Sequence, residues 1–374
     1  MSRKSPHLFL LLTLGAILCA IPAWACSVPV FRYALEHWAA APFQAFVFHR
    51  GPLSEAQQAA ARDLGPDGLA GELHANISLR TVDLDQDPPP EMLELSHEAG
   101  ETSLPLLVAR FPATNRLTST VWSGPLTAEN VAQLLDSPAR QEIVERLAEG
   151  ESTVWVLLES GDAARDSAAA ELLDARLKYL PSVLQLPKLD AQDIANGLVS
   201  VGQEGLRLDF SLFRLSRDDP HEQPFIRMLL GAEADLKDVK APIVFPVFGQ
   251  GRALYALAGD GIKHETIDKA AEFLIGKCSC EVKERNPGMD LLLGADWKAI
   301  VESQIAGIPD LPTMAELTKS APVSVTISAK SDASSSTASN HSGTRRPLLG
   351  IWLIVGALIV TGLFVASIFP RRGK

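Results

Sequence analysis

His49-Arg50-Gly51-Pro52-Leu53-Ser54 separates two runs of different character. Before it, Phe43–Phe48 is apolar and aromatic, and reads as a strand. After it, Ser54 opens a helical run that continues through Leu64. Outward from this junction the pattern goes on as strand, helix, strand, strand, helix. Ile77–Leu84 is the second strand, and Glu91–His97 a shorter helical run. Leu106–Phe111 and Ser119–Trp122 read as a hairpin, and Ala128–Leu135 opens a last helix. This order predicts an open α/β sheet with helices on its faces.

Four features of this region resemble thioredoxins. In that family the strand-to-helix junction carries Cys-Gly-Pro-Cys. Here Gly51-Pro52 keeps the middle, while Arg50 and Leu53 occupy the two cysteine places. Val82-Asp83-Leu84-Asp85-Gln86-Asp87-Pro88 resembles the segment that ends the second core strand. Ser103-Leu104-Pro105-Leu106-Leu107 resembles the loop whose proline is cis and faces the active site. Gly124 stands where a family glycine precedes the last helix. The resemblance covers roughly residues 43–136, about one domain, and implies a thioredoxin-like unit whose chemistry has been removed.

The pattern then repeats. Ala139–Glu149 is a bridging helix ending at Gly150. Thr153–Leu158 is a strand, Ala163–Tyr179 a long helix, Leu206–Leu215 a strand and His221–Leu230 a short helix. Residues 241–248 and Arg252–Leu257 form a hairpin about Gly249-Gln250-Gly251, and His264–Leu274 closes the unit. Pro242 falls where the cis proline would be, and Gly259 where the glycine before the last helix would be. Ser160-Gly161-Asp162-Ala163, at the repeated junction, contains no cysteine. A second, more divergent thioredoxin-like domain is therefore expected, and Gly249-x-Gly251 is a hairpin turn, not a phosphate loop.

Both ends of the chain read as membrane signals. Arg3 and Lys4, the apolar run Leu8–Ile21 and Ala23-Trp24-Ala25 make a signal peptide cut before Cys26. Lipid attachment to Cys26 is a second reading, poorly served by Trp24 and Ala23. Leu348–Phe369 carries no charge and is long enough to span a bilayer, with Arg371, Arg372 and Lys374 behind it. All 45 acidic residues lie between these signals; seven of the 34 Lys and Arg do not, so residues 26–344 carry a net charge of −18. That excludes nucleic acid and anionic membrane faces as expected partners.

Ser27-Val28-Pro29 caps an amphipathic helix that contains Phe31 and Trp38, with Arg32 and Glu36 paired on its outer face. The run from Cys26 to Trp38 resembles the start of an uncharacterised family of bacterial envelope proteins, which implies class and location alone. Asp83, Asp85, Asp87, Glu91 and Glu94 have EF-hand spacing, but Pro88 stands where the loop needs glycine, so they read as solvated acids. Asp162 and Asp166 read as a solvated helix face, and Asn76 and Asn340 head glycosylation triplets.

The mature chain keeps Cys26, Cys278 and Cys280. Three uses compete: a structural disulfide from Cys26 to one of the pair, a strained Cys278–Cys280 redox bridge, or thiolate binding of a soft metal. No G-x-S-x-G, H-E-x-x-H or Walker loop is present, and no cofactor or metal site is implied. The expected organisation is a signal peptide (1–25), an N-terminal helix (26–42), thioredoxin-like domains at 43–150 and 151–284, an extension and flexible linker (285–346), a transmembrane helix (347–370) and a basic cytoplasmic tail (371–374). The expected location is the bacterial cell membrane, single-pass, with the bulk periplasmic. The expected function is binding or scaffolding of other envelope or membrane proteins; the alternative is a thiol redox or soft-metal protein using Cys278-Ser279-Cys280.

Overall fold

The computed structural model describes residues 26–100, 103–113, 119–278 and 282–306, all within one compact unit. The expected signal peptide, Cys280, the expected Ser/Thr-rich linker, the apolar run at 348–369 and the basic residues after it lie outside the described residues. Among the described residues no helix is long and apolar enough to cross a membrane.

The chain folds as mixed α/β, with two mixed sheets flanked by helices. The first half runs α1 (Val30–His37), β1 (Phe43–His49), α2 (Glu55–Asp63), α3 (Leu69–Glu72), β2 (Ile77–Asp83), α4 (Pro90–Glu98), β3 (Leu106–Arg110), β4 (Thr120–Pro125), α5 (Ala128–Leu135) and α6 (Pro138–Ala148). Its sheet has the order β2-β1-β3-β4. Strand β1 is parallel to β2 and antiparallel to β3, which is antiparallel to β4. The second half runs β5 (Thr153–Leu158), α7 (Ala163–Val183), α8 (Ala191–Ala195), β6 (Phe210–Leu215), α9 (Gln223–Leu230), β7 (Ile243–Phe248), β8 (Arg252–Ala253), β9 (Leu257–Ala258) and α10 (His264–Ile275). Its sheet repeats the same order and directions: β6 parallel to β5, β7 antiparallel to β5, and β8 and β9 antiparallel to β7.

The expected hairpin strand from Arg252 to Leu257 is broken into β8 and β9, and Pro246 is the reason. Its carbonyl points to that side and accepts from Leu254 N at 2.9 Å, but proline has no N–H to return. The ladder lapses there, and Leu254 turns its side chain into the core.

Alternation along β1 and β5 sets the layers, because successive strand side chains point to opposite faces. Phe43, Ala45 and Val47 share one core with Val154, Val156 and Leu158, together with residues of α5, α6 and α9. Phe46 and Phe48 face the other way and are covered by Met92 and Leu95 of α4. Trp155 and Leu157 turn to a third cluster built from α1, α7 and α10. The two halves therefore share their largest core.

The stretch after 284, expected as an extension, closes that shared core. Strand β10 (Met289–Asp290) pairs antiparallel with β8, Leu291–Leu293 are fully buried, and α11 (Trp297–Ala306) packs on α1 and α6. Asn76 stitches the segment to the first half: Nδ2 donates to the Ala41 and Leu291 carbonyls at 3.0 Å each, and Oδ1 accepts from Leu293 N at 3.2 Å. With its amide so engaged, Asn76 is no glycosylation acceptor in the folded chain.

Two readings of the N-terminal helix need correction. Ser27 does not cap α1, whose N-cap is Pro29; its backbone N and Oγ both donate to Asp193 Oδ2 at 2.6 Å. Arg32 and Glu36 do pair, Nε to Oε1 at 2.5 Å, but their side chains are 6% and 3% exposed because α11 and residues 198–200 cover that face.

Candidate functional site

The first junction begins where β1 ends. Extending the β1–β3 register one step beyond Phe48↔Leu106 sets His49 opposite Pro105, while β2 brings Asp83 beside His49. The Leu104–Pro105 peptide is cis. His49 Nδ1 lies 2.7 Å from the Gly51 carbonyl; since a carbonyl only accepts, that nitrogen carries the proton. Gly51 has φ +60, a left-handed conformation that favours glycine. Ser54 then caps α2 in a capping box: its Oγ accepts from Gln57 N, and Gln57 Oε1 accepts from Ser54 N at 2.9 Å.

Arg50 projects beyond the strand and donates from Nη1 to Asp85 Oδ1 at 2.8 Å, both side chains half exposed. Asp85 N and Gln86 Nε2 donate to Asp83, which holds that carboxyl below its ordinary range. The junction thus presents the exposed Arg50–Asp85 ion pair and the partly buried Leu53. It holds no sulfur, hence no thiolate for disulfide exchange. Asp85 and Asp87 form no metal cluster with the neighbouring acids, nor is there one elsewhere among the described residues.

The second junction is built differently. Ser160 and Gly161, with φ +89, make the turn, and Asp162 caps α7 by accepting from the Ala164 and Arg165 backbone. Asp166 is 3% exposed, contrary to the solvated face expected of it. It accepts from Ser160 N at 2.7 Å, Ser160 Oγ at 2.8 Å and Gly161 N at 3.0 Å. The loop folds back over the first turn of α7 and takes Asp166 out of water. Pro242 is likewise corrected: the peptide before it is not cis. Arg217 holds the approach to β7 by donating to the Val239 carbonyl at 2.8 Å and the Ala241 carbonyl at 3.5 Å. The X-Pro bond keeps its usual trans form there.

The cysteines sit at neither junction. Cys26 is 4% and Cys278 1% exposed, both within the core cluster of α1, α7 and α10. An antiparallel bridge between Pro29 and Lys277 joins their segments, with Cys278 N donating to Val28 O at 2.8 Å. The structure therefore brings Cys26 and Cys278 into one apolar cluster, and keeps both from Arg50, Gly51, Pro52, Leu53 and Pro105.

Sequence reasoning missed the groups that weld the halves. Glu222, 2% exposed, accepts from Ser137 Oγ at 2.5 Å and Ala139 N at 2.8 Å. Arg140 donates to Ser137 Oγ and to the carbonyls of Gln133, Leu134 and Leu292. Burial pushes its pKa down to about 10. Asp290 accepts from Arg252, Lys283 and the Ala41 backbone. Glu222 lies 85 and 83 residues from Ser137 and Ala139, and Asp290 lies 249 residues from Ala41, so these links left no local signal. Compared with known proteins, the chain matches no family model and no curated protein.

Proposed function

We propose that this chain is a membrane-anchored, extracytoplasmic binding or scaffolding protein whose two halves are thioredoxin-like domains without the catalytic cysteines. The observation that carries the reading is the first junction, where a cis Pro105 faces the end of β1 and Arg50 and Leu53 stand where the resemblance puts thiols. The half-buried Leu53 and Pro105 offer apolar surface to an extended polypeptide, and the Arg50–Asp85 pair supplies polar contacts at its rim. The partner class is other envelope or membrane proteins, and the anchor is the apolar run Leu348–Phe369.

Burial argues against the redox and soft-metal alternative. Disulfide attack and metal capture need an accessible thiolate, and Cys26 and Cys278 are closed off by the core. The same burial argues against a lipid on Cys26. The test pairs two assays on the full-length chain. A denatured, alkylated polypeptide should bind, and Arg50→Glu with Leu53→Asp should abolish that binding. Insulin disulfides should not be reduced. Turnover that survives replacement of Cys26, Cys278 and Cys280 by serine overturns the reading, as does binding indifferent to the double change at the junction.

A further inference from the structure

At the other end of β5 from the Ser160 turn, α1, the α6–β5 turn and residues 204–207 enclose a cleft of about 380 Å³. Phe31, Leu35 and Leu147 give it an apolar wall, and Arg32 and Glu151 face it as well. The Arg32 guanidinium is fixed on two sides. Nε donates to Glu36 at 2.5 Å, and Nη1 to Gln304 Oε1 at 2.6 Å. Those acceptors are themselves held: Glu36 Oε2 accepts from Ser200 N at 2.7 Å, and Gln304 Nε2 donates to the Leu147 and Ala148 carbonyls. Nη2, buried with the rest of the group, has no partner. Buried donors are nearly always satisfied, so this one calls for an acceptor brought from outside.

Glu151 is the second polar feature. It is half-buried and its Oε2 accepts from Ser211 Oγ, which in turn accepts from Arg146 Nη1 at 3.1 Å; burial raises its pKa against the opposing effects of Ser211 and Arg146. A desolvated carboxylate gains from a cation placed against it. Arg207 also lines the cleft, but its guanidinium is committed to the Glu149 carbonyl and to Asp209; an anion alone would meet Glu149, Glu151 and Glu204 there, and a cation alone would leave Arg32 Nη2 unanswered. The volume lies at the small end of the range for ligand pockets, which runs from about 300 to 1,000 Å³.

We infer that the cleft binds a small zwitterion with an apolar side group, of the class of aliphatic and aromatic α-amino acids. The ligand's carboxylate lies against the Arg32 guanidinium, its ammonium against Glu151, and its side group packs on Phe31, Leu35 and Leu147. This site is separate from the Arg50–Leu53 junction and stands or falls independently of polypeptide binding there.

Calorimetric titration of the full-length chain tests it, with L-leucine and L-phenylalanine as probes. Leucinamide lacks the carboxylate and N-acetyl-L-leucine lacks the ammonium. At least one amino acid should bind saturably, and removal of either charge should weaken binding roughly tenfold or more. Glu151→Gln, a change at a half-buried position, should reproduce the loss seen with N-acetyl-L-leucine. No saturable heat from either amino acid overturns the inference. So does equal binding of the single-charge analogues, or a Glu151→Gln protein that binds as tightly as the wild type.

Discussion

Asp166 carries more of the second junction than any other side chain there. Three loop donors converge on it, and in Asp166→Ala they lose their acceptor while partly or wholly out of water. Equilibrium urea unfolding should show a loss of about 2–3 kcal/mol. Its role was hidden in the sequence because Asp162 and Asp166 fall one helical turn apart, the spacing of an exposed face; only the fold of Ser160–Gly161 back over α7 separates them. Glu151 makes the contrasting case. Burial is the main cause that raises its pKa above the ordinary 4.5, against the opposing hydrogen bond from Ser211. Below that value the carboxyl is protonated in folded and unfolded chains alike. As pH rises through the folded pKa, ionisation in a partly desolvated place opposes folding. Glu151→Gln should therefore be more stable than the wild type near neutral pH, and the difference should fade below pH 4.5; denaturant midpoints at several pH values measure it.

Among the elements, α2 owes its start to the Ser54–Gln57 capping box. Ser54→Ala should cost about 1 kcal/mol, read as a lower urea midpoint with an unchanged slope. Helices α5 and α6 meet at Arg140, which terminates the one by binding the Gln133 and Leu134 carbonyls and anchors the other through Ser137. Arg140→Ala removes the cation that acts on Glu222 and leaves three carbonyls without this donor; a loss of about 3–5 kcal/mol is expected, visible in the same unfolding experiment. Most elements were legible from periodicity, since Phe43–Phe48, Thr153–Leu158 and Ala128–Leu135 carry one pattern over enough residues to fix a period. The short helices at 69–72 and 191–195 were not, because four or five residues hold barely one turn. Strand β6 starts at Phe210 and not at Leu206, since Ser152 Oγ takes up Arg207 O and Asp209 N in place of a ladder.

In the molecule as a whole the two sheets are not separable. One apolar core takes residues from β1, β3, β5 and β7, and Leu291–Leu293 close it. Urea unfolding of the full-length chain, followed by tryptophan fluorescence and by far-UV circular dichroism, should give one coincident transition for this body. Residues 26–150 expressed alone should give the narrow amide dispersion of an unfolded chain, because Phe43, Ala45 and Val47 lose the cover supplied by the second half. The repeated succession of strands and helices was readable from the sequence. The shared core was not, since alternation within a strand says that both faces are apolar without saying what covers them. The placement of α1 has a consequence for how the protein is made. Helix α1, which leaves the ribosome ahead of the other described elements, packs on α10 and takes its backbone pairing from Gly276 to Cys278. Nearly the whole body must be synthesised before that surface exists. Phe31, Tyr33 and Trp38 therefore lack that cover through most of translation, and completion of the fold is an event of the described body's last stretch, not its first.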